Sequence, residues 1–116
     1  MPTLPMEVVQ LPGKLILRLA GYLLFATPEQ MAQLQPQIDQ LPEDPGVVIL
    51  NLSQFEFLTS HVLSVLIILH RKYKHTGHRV RLCQVKRDSL LVLKHSNADT
   101  FFEIFETEEA ALAKAV

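Results

Sequence analysis

The chain alternates between apolar patterns that have the period of a strand and patterns that have the period of a helix. In "LILRLAG", Leu15, Leu17 and Leu19 alternate with other residues, which is typical of a strand. In "TPEQMAQLQPQIDQL", apolar residues recur every three or four positions, which predicts a helix beginning after Thr27. The continuous apolar run "VVILNL" from Val47 predicts a central strand covered on both faces.

The later segments continue this alternation. "RVRLCQV" and "FFEIF" are predicted strands, so the order is β-β-α-β-α-β-α-β-α, which indicates an α/β fold with a mixed sheet and about four helices. We expect the sheet to contain Leu15–Leu19, Val47–Leu52 and Val80–Cys83. The residues at the helix ends are common caps: Thr27 for the first helix, Thr59 or Ser60 and Gly77 for the second, Asp88 or Ser89 for the third, and Thr107 for the fourth.

Length and charge narrow the class of protein. A chain of 116 residues, 48% of them hydrophobic, fits a single domain spanning 1–116. With 11 basic and 12 acidic residues, it lacks the positive excess that nucleic-acid binding needs. The basic residues concentrate in 70–96 and the acidic ones in 97–116, which suits a protein partner of mixed charge or self-association. We find no signal peptide and no apolar run long enough for a membrane span, so we expect a cytoplasmic protein.

The sequence offers little catalytic or metal chemistry. Its four glycines are scattered, so it has no glycine-rich phosphate loop. His70 and His75 do not share a helical face, and His78 follows the expected end of the helix, so we predict no metal site. Cys83 is the only cysteine, which excludes an intrachain disulfide, and we expect it to be buried in a strand. We therefore predict a protein that is not an enzyme and has no cofactor.

The stretch "EFLTSHVLSVLIILHRKYKHTG" contains the most informative junction. A strand ends, Thr59 and Ser60 follow, and a very apolar helix begins. Either hydroxyl can accept a hydrogen bond from a free N–H of the first helical turn, which is the structural interpretation. The same place also favours a phosphate, because the free N–H groups and the helix dipole attract an anion. The spacing alone leaves both interpretations open.

The sequence resembles a known family over nearly its whole length. "LILRLAGYL" is similar to an early strand of STAS domains that ends in a glycine, and "GVVILNLSQFEFLTS" to the strand and loop before their conserved helix. "LHRKYKHTGHRVRL" and "FFEIFETEEAAL" match the later elements. Within this family, the chain looks most like the bacterial anti-sigma factor antagonists.

The resemblance implies a specific mechanism. Family members bind an anti-sigma factor that is also a serine kinase, and the kinase releases itself by phosphorylating the first serine of an Asp-Ser-Ser-Gly motif. A phosphatase reverses this modification. The acceptor serine falls on Ser60, the preceding Asp on Thr59, the second serine on His61 and the glycine on Val62. A further small residue of the family falls on Ser64.

The resemblance also implies which kind of partner the protein binds, and it leaves alternative functions open. The expected partner is an anti-sigma factor or serine kinase-like protein, or another signalling protein, and the expected function is partner switching. The residues around Ser60 differ from the motif. A diverged scaffold domain that binds its partner without phosphorylation is therefore an alternative. Further alternatives are a STAS accessory subunit of a transport system and a sensor of a small ligand or nucleotide. A polar pocket near Gly21 and Ser60 would indicate the sensor.

The second helix has more apolar residues than one contact with a sheet requires. We expect part of it, including Val62 and Ile68, to be exposed and to mediate partner docking or a homodimer. The alternative is that neighbouring helices cover these apolar residues. The candidate partner-binding residues are Thr59, Ser60, His61, Val62, Ser64 and Ile68.

Overall fold

The chain begins with an antiparallel hairpin in the computed structural model, which describes residues 6–77 and 79–115. Strands β1 (Met6–Leu11) and β2 (Lys14–Leu19) are joined at Pro12 and Gly13, as the sequence predicts. Gly13 has φ +71°, which a glycine adopts without strain. Its carbonyl accepts a hydrogen bond of 3.0 Å from the N–H of Val47, so the turn is tied to the next strand.

Three further strands complete a mixed sheet. They are β3 (Val47–Asn51), β4 (Val80–Cys83) and β5 (Phe102–Phe105). The spatial order is β1-β2-β3-β4-β5, with β2 to β5 parallel to one another and β1 antiparallel to β2. The predicted α/β fold is confirmed, and every residue of β3 is buried, as expected for a central strand.

Helices cover the two faces of the sheet unequally. Helices α1 (Pro28–Asp39), α2 (Ser60–Tyr73) and α3 (Arg87–His95) contribute to the main apolar cluster on one face. Helix α4 (Glu108–Ala113) contributes to a smaller cluster on the other face. The predicted order of strands and helices is confirmed, with short 3-10 turns added, among them Gly21–Phe25 between β2 and α1.

Most of the predicted helix caps are present. Thr27 and Gln30 form a complete capping box at the start of α1, and Thr107 Oγ1 accepts a hydrogen bond from the N–H of Ala110 in α4. The prediction for α3 was wrong, because the residue before its first turn is Lys86. Ser89 is instead buried within the helix, and its hydroxyl donates to the Phe55 carbonyl at 3.2 Å, which joins α3 to the loop after β3.

The cysteine lies where the sequence predicted. Cys83 is buried at the end of β4, in the smaller cluster with Ile16 of β2 and Ile49 of β3. Burial raises the pKa of its thiol to about 12. A thiol that stays protonated at neutral pH is a weak nucleophile, so the role of Cys83 in this cluster is packing.

The carboxylate of Glu108 helps to fasten α4 to the sheet, in addition to a hydrogen bond of 2.6 Å from Arg81 of β4 to the Ala111 carbonyl. Glu108 accepts two hydrogen bonds from the Arg18 guanidinium, at 3.1 Å and 2.7 Å, and a third of 2.8 Å from the Asn51 amide. Its bond with Arg18 lowers the pKa of Glu108, opposed by burial and assisted by the Asn51 bond. The cluster links β2, β3 and α4, so a helix of only six residues is held in one position.

Replacing Glu108 with Gln should reduce the free energy of unfolding by about 1–3 kcal/mol at neutral pH, because charge-assisted bonds are lost. Since the folded pKa of Glu108 is lowered, its contribution is present above the unfolded value of about 4.3 and disappears as the pH falls through the folded value. Urea unfolding followed by circular dichroism at neutral and acidic pH would measure this.

The matched control is Glu109→Gln, because Glu109 is exposed in the same helical turn and meets the same helix dipole. We expect the control to change stability by no more than about 0.5 kcal/mol. Equal losses for both variants, or a loss for Glu108→Gln that persists at low pH, would contradict the role of this carboxylate.

Candidate functional site

The start of α2 is capped by Thr59. Strand β3 ends at Asn51, a loop follows, and Thr59 has extended backbone angles immediately before the first helical residue, Ser60. Thr59 Oγ1 accepts a hydrogen bond of 3.4 Å from the N–H of Val62. Of the two hydroxyls that the sequence left as alternatives, Thr59 is therefore the cap.

Ser60 is exposed, and its hydroxyl makes no hydrogen bond to the parts of the chain that the structure describes. Its carbonyl accepts a hydrogen bond of 2.8 Å from Ser64 Oγ, one turn along the helix. His61 and Ser64 are also exposed. The three residues thus present polar groups at the positive end of the helix dipole, where an anion is stabilised.

Val62 was expected to be exposed, and the structure contradicts this. It is 0% exposed and packs in the main cluster with Val65, Leu66 and Leu69, which recur on the same side of α2 and face the sheet. A charged residue at Val62 would therefore be buried in the core, so Val62 belongs to the fold and contributes nothing to a surface. Ile68 is half-buried beside α1, where it also packs against the main cluster.

Two exposed phenylalanines lie on two segments that contact each other, the loop before α2 and the 3-10 turn after β2. Phe57, in the loop before α2, is 48% exposed, and Phe25, at the end of the 3-10 turn, is 80% exposed. Gln54 Oε1 accepts a hydrogen bond of 2.7 Å from the N–H of Gly21, which fixes that turn against the loop. Neither phenylalanine was predicted from the sequence as a site residue, because neither belongs to a periodic apolar pattern.

The loop that carries Phe57 is anchored at several points. Asn51 Oδ1 accepts a hydrogen bond of 2.9 Å from the N–H of Ser53, and the Phe55 ring is fully buried. Further along, Glu56 pairs with Lys86 at 2.7 Å. These contacts precede Phe57, and Leu58 is buried directly after it, so the backbone that carries the exposed ring is held on both sides.

The surface formed by these segments is named the docking surface below. Its members are Phe25, Phe57, Ser60, His61 and Ser64. It combines two large apolar rings with hydroxyl and imidazole groups at a helix N-terminus. This composition suits contact with another protein.

The clefts in the structure offer less to a small ligand. One of about 490 Å³ lies between α1 and α2, where Lys72 pairs with Glu43. Another of about 410 Å³ lies beside the end of β2, where Arg18 is paired with two carboxylates and Gln54 with Gly21. Several polar groups of both clefts thus have partners within the protein, and Ser60 lines neither.

The described histidines have separate surroundings. His70 stacks on Phe101 with ring centroids 4.8 Å apart, and burial lowers its pKa, assisted by Lys74 and Arg71. His75 is exposed, and His78 lies outside the described residues. Within 6–77 and 79–115, no three His, Cys, Asp or Glu side chains are grouped as metal ligands. None of the helices in these ranges is long and apolar enough to cross a membrane.

Comparison with known proteins assigns the family. The model of the STAS domain family matches residues 5–111. The chain therefore belongs to the STAS domain family. A comparison with curated protein sequences finds no match.

Solved structures share the fold. An anti-sigma-factor antagonist (STAS) domain protein from Planctomyces limnophilus is 19% identical, with a TM-score of 0.75 over 95% of this chain and 97% of that one. The NMR structure of TM1081, from Thermotoga maritima, is 20% identical, with a TM-score of 0.76 over 98% and 89%. A serine-to-glutamate variant of Moorella thermoacetica RsbS is 15% identical, with a TM-score of 0.70 over 92% and 91%.

Replacing Thr59 with Ala should lower the free energy of unfolding by about 0.5–1 kcal/mol, the lower part of the range for N-caps because the bond is long. Replacing Ser60 with Ala should change it by less than about 0.5 kcal/mol, since the hydroxyl is exposed. Thermal unfolding of the two variants would measure the difference. A larger loss for Ser60→Ala than for Thr59→Ala would show that Ser60 is the cap.

Proposed function

We propose that this STAS domain is a protein-binding module of the anti-sigma factor antagonist type. It binds an anti-sigma factor with serine kinase activity, or a related signalling protein in the cytoplasm, and regulates a sigma factor by partner switching. The observation that supports this most is the docking surface, where Phe57 is exposed in the loop just before the exposed Ser60 and Phe25 is exposed on the turn that the Gly21–Gln54 bond ties to that loop. The fold shared with anti-sigma-factor antagonist STAS proteins supports the same proposal.

The two phenylalanines supply the affinity in this proposal. Aromatic residues are enriched among the few interface residues that dominate binding energy. Phe25 is 80% exposed, so most of its ring remains to be buried by a partner. Because the Gly21–Gln54 bond and the buried Phe55 hold the segments that carry them, little backbone freedom is lost on binding.

Ser60 regulates binding to the partner in this proposal. A phosphate at Ser60 would gain about 0.3–1 kcal/mol from the helix dipole within the free domain. At a contact surface, the same group brings a charge of about −2 that must be desolvated. Binding would therefore weaken while the domain remains folded, which is the response that a switch needs. The exposure of Ser60 makes its hydroxyl accessible to a kinase.

Replacing Phe25 or Phe57 with Ala should each lower the affinity for the partner at least about tenfold, which corresponds to the loss of one aromatic anchor. The partner is the protein captured by the immobilised domain from cells that produce the chain, and the affinities are measured by calorimetry with the purified pair. The matched control is Leu91→Ala, because Leu91 is 46% exposed on α3. Equal losses for Leu91 and the phenylalanines would contradict the position of the docking surface.

Replacing Ser60 with Asp should lower the affinity for the same partner at least about tenfold, whereas Ser60→Ala should retain it. Thermal unfolding should show that both variants are as stable as the wild type, because the side chain lies at the surface. Equal affinities for the wild type and both variants would show that Ser60 does not control binding. Treatment with the kinase partner and ATP, followed by mass spectrometry, tests whether Ser60 is modified.

A further inference from the structure

The two edges of the sheet differ in how they are protected from further strand pairing. Strand β5 has only four residues, and its Glu103 carboxylate is near Arg81 and bonded to Lys114. Strand β1 has six residues, of which only Glu7 is charged. Short strands and inward charges discourage pairing at an edge, whereas a longer apolar edge invites it. The β1 edge is therefore the more open to a new strand.

Strand β1 exposes apolar side chains on both faces of the sheet. Val8 is 41% exposed on the face of α1 and α2, and Leu11 is 40% exposed on the face of α4. Val9, beside Leu11, packs against the smaller apolar cluster under α4. An additional strand at this edge would cover apolar surface on both sides at once.

The backbone of β1 is arranged for antiparallel pairing. The two-residue turn makes Leu11 and Lys14 the first bonded pair of the hairpin, and bonded pairs recur at every second residue. Val9 and Glu7 therefore direct their N–H and C=O groups toward β2. Val8 and Gln10 direct theirs outward, where they are available to another strand.

We propose that β1 pairs with β1 of a second copy of this chain, antiparallel and about a two-fold axis, so that the two sheets become continuous. Val9 faces Val9 of the second copy, and Val8 and Gln10 exchange backbone hydrogen bonds across the axis. A two-fold axis makes one strand edge complementary to itself. The proposal concerns a different surface from the docking surface and does not rest on the proposed function.

Charge selects this register. With Val9 on the axis, Glu7 lies opposite Leu11 of the second copy, whose next neighbour across the sheet is Lys14. Two strand spacings place Glu7 and that Lys14 about 10 Å apart between Cα atoms, within reach of two long side chains. Glu7 is exposed beside Arg18, and Lys14 has no carboxylate partner in the described ranges of one copy. The pairing would therefore set each Glu7 between two cations.

Leu11 provides a test of this register, because a charge there lies opposite Glu7 of the second copy. Leu11→Lys should retain the dimer, whereas Leu11→Glu should weaken it, with dissociation constants that differ about tenfold. Both variants remove the same apolar side chain. Within one copy their effects are reversed, because position 11 pairs with Lys14, so the difference cannot come from hairpin stability. Sedimentation over a wide range of protein concentration measures the dissociation constants.

Gln10→Pro tests the backbone contacts. It removes an outward N–H and leaves the bonds between β1 and β2 in place, so the variant should be folded and monomeric. Gln10→Ala is its control and should dimerise as the wild type does. Circular dichroism confirms that each variant is folded. A wild type that stays monomeric at every concentration, or equal dissociation constants for Leu11→Lys and Leu11→Glu, would overturn the proposal.

Discussion

The carboxylate of Glu108 connects helix α4 with strands β2 and β3 of the sheet. It is shared by the guanidinium of Arg18 and the amide of Asn51, so three elements meet at one partly buried acceptor. Asn51 also accepts a hydrogen bond from the N–H of Ser53 through its other amide atom. The side chain of Asn51 can satisfy both contacts in only one orientation. The position of α4 and the start of the loop before α2 are thereby fixed together.

The fixed arrangement of these contacts continues along the chain from Ser53 to the docking surface. Gln54 follows and holds the N–H of Gly21, which positions the turn that ends in Phe25. Hydrogen bonds on either side of the Ser53–Gln54 peptide therefore connect α4, on one face of the sheet, with the turn that ends in Phe25. The burial of Val62 completes this arrangement, because it turns the Ser60 side chain away from the core. The exposed residues are thus presented by a rigid framework, as a binding site requires.

Periodicity and cap chemistry were sufficient to predict the strands and most helix starts, but they could not predict features that depend on distant contacts. Val62 was expected at the surface because α2 is apolar in almost every direction, and sequence cannot tell which directions neighbouring elements cover. The cap of α3 was misplaced because Ser89 is used to bind Phe55. Arg18 and Glu108 are 90 positions apart, so nothing local links them. Phe25 and Phe57 lie in segments that have no periodic apolar pattern. The exposure of their side chains therefore becomes visible only in the folded structure.

Amide hydrogen exchange, compared between the free domain and its complex with the captured partner, would locate the binding site on the folded protein. Our account predicts slower exchange in 21–25, in 53–57 and in the first turn of α2, with little change in α3 and α4. Protection of α3 or α4 while the segments beside Ser60 exchange as they do in the free domain would contradict it.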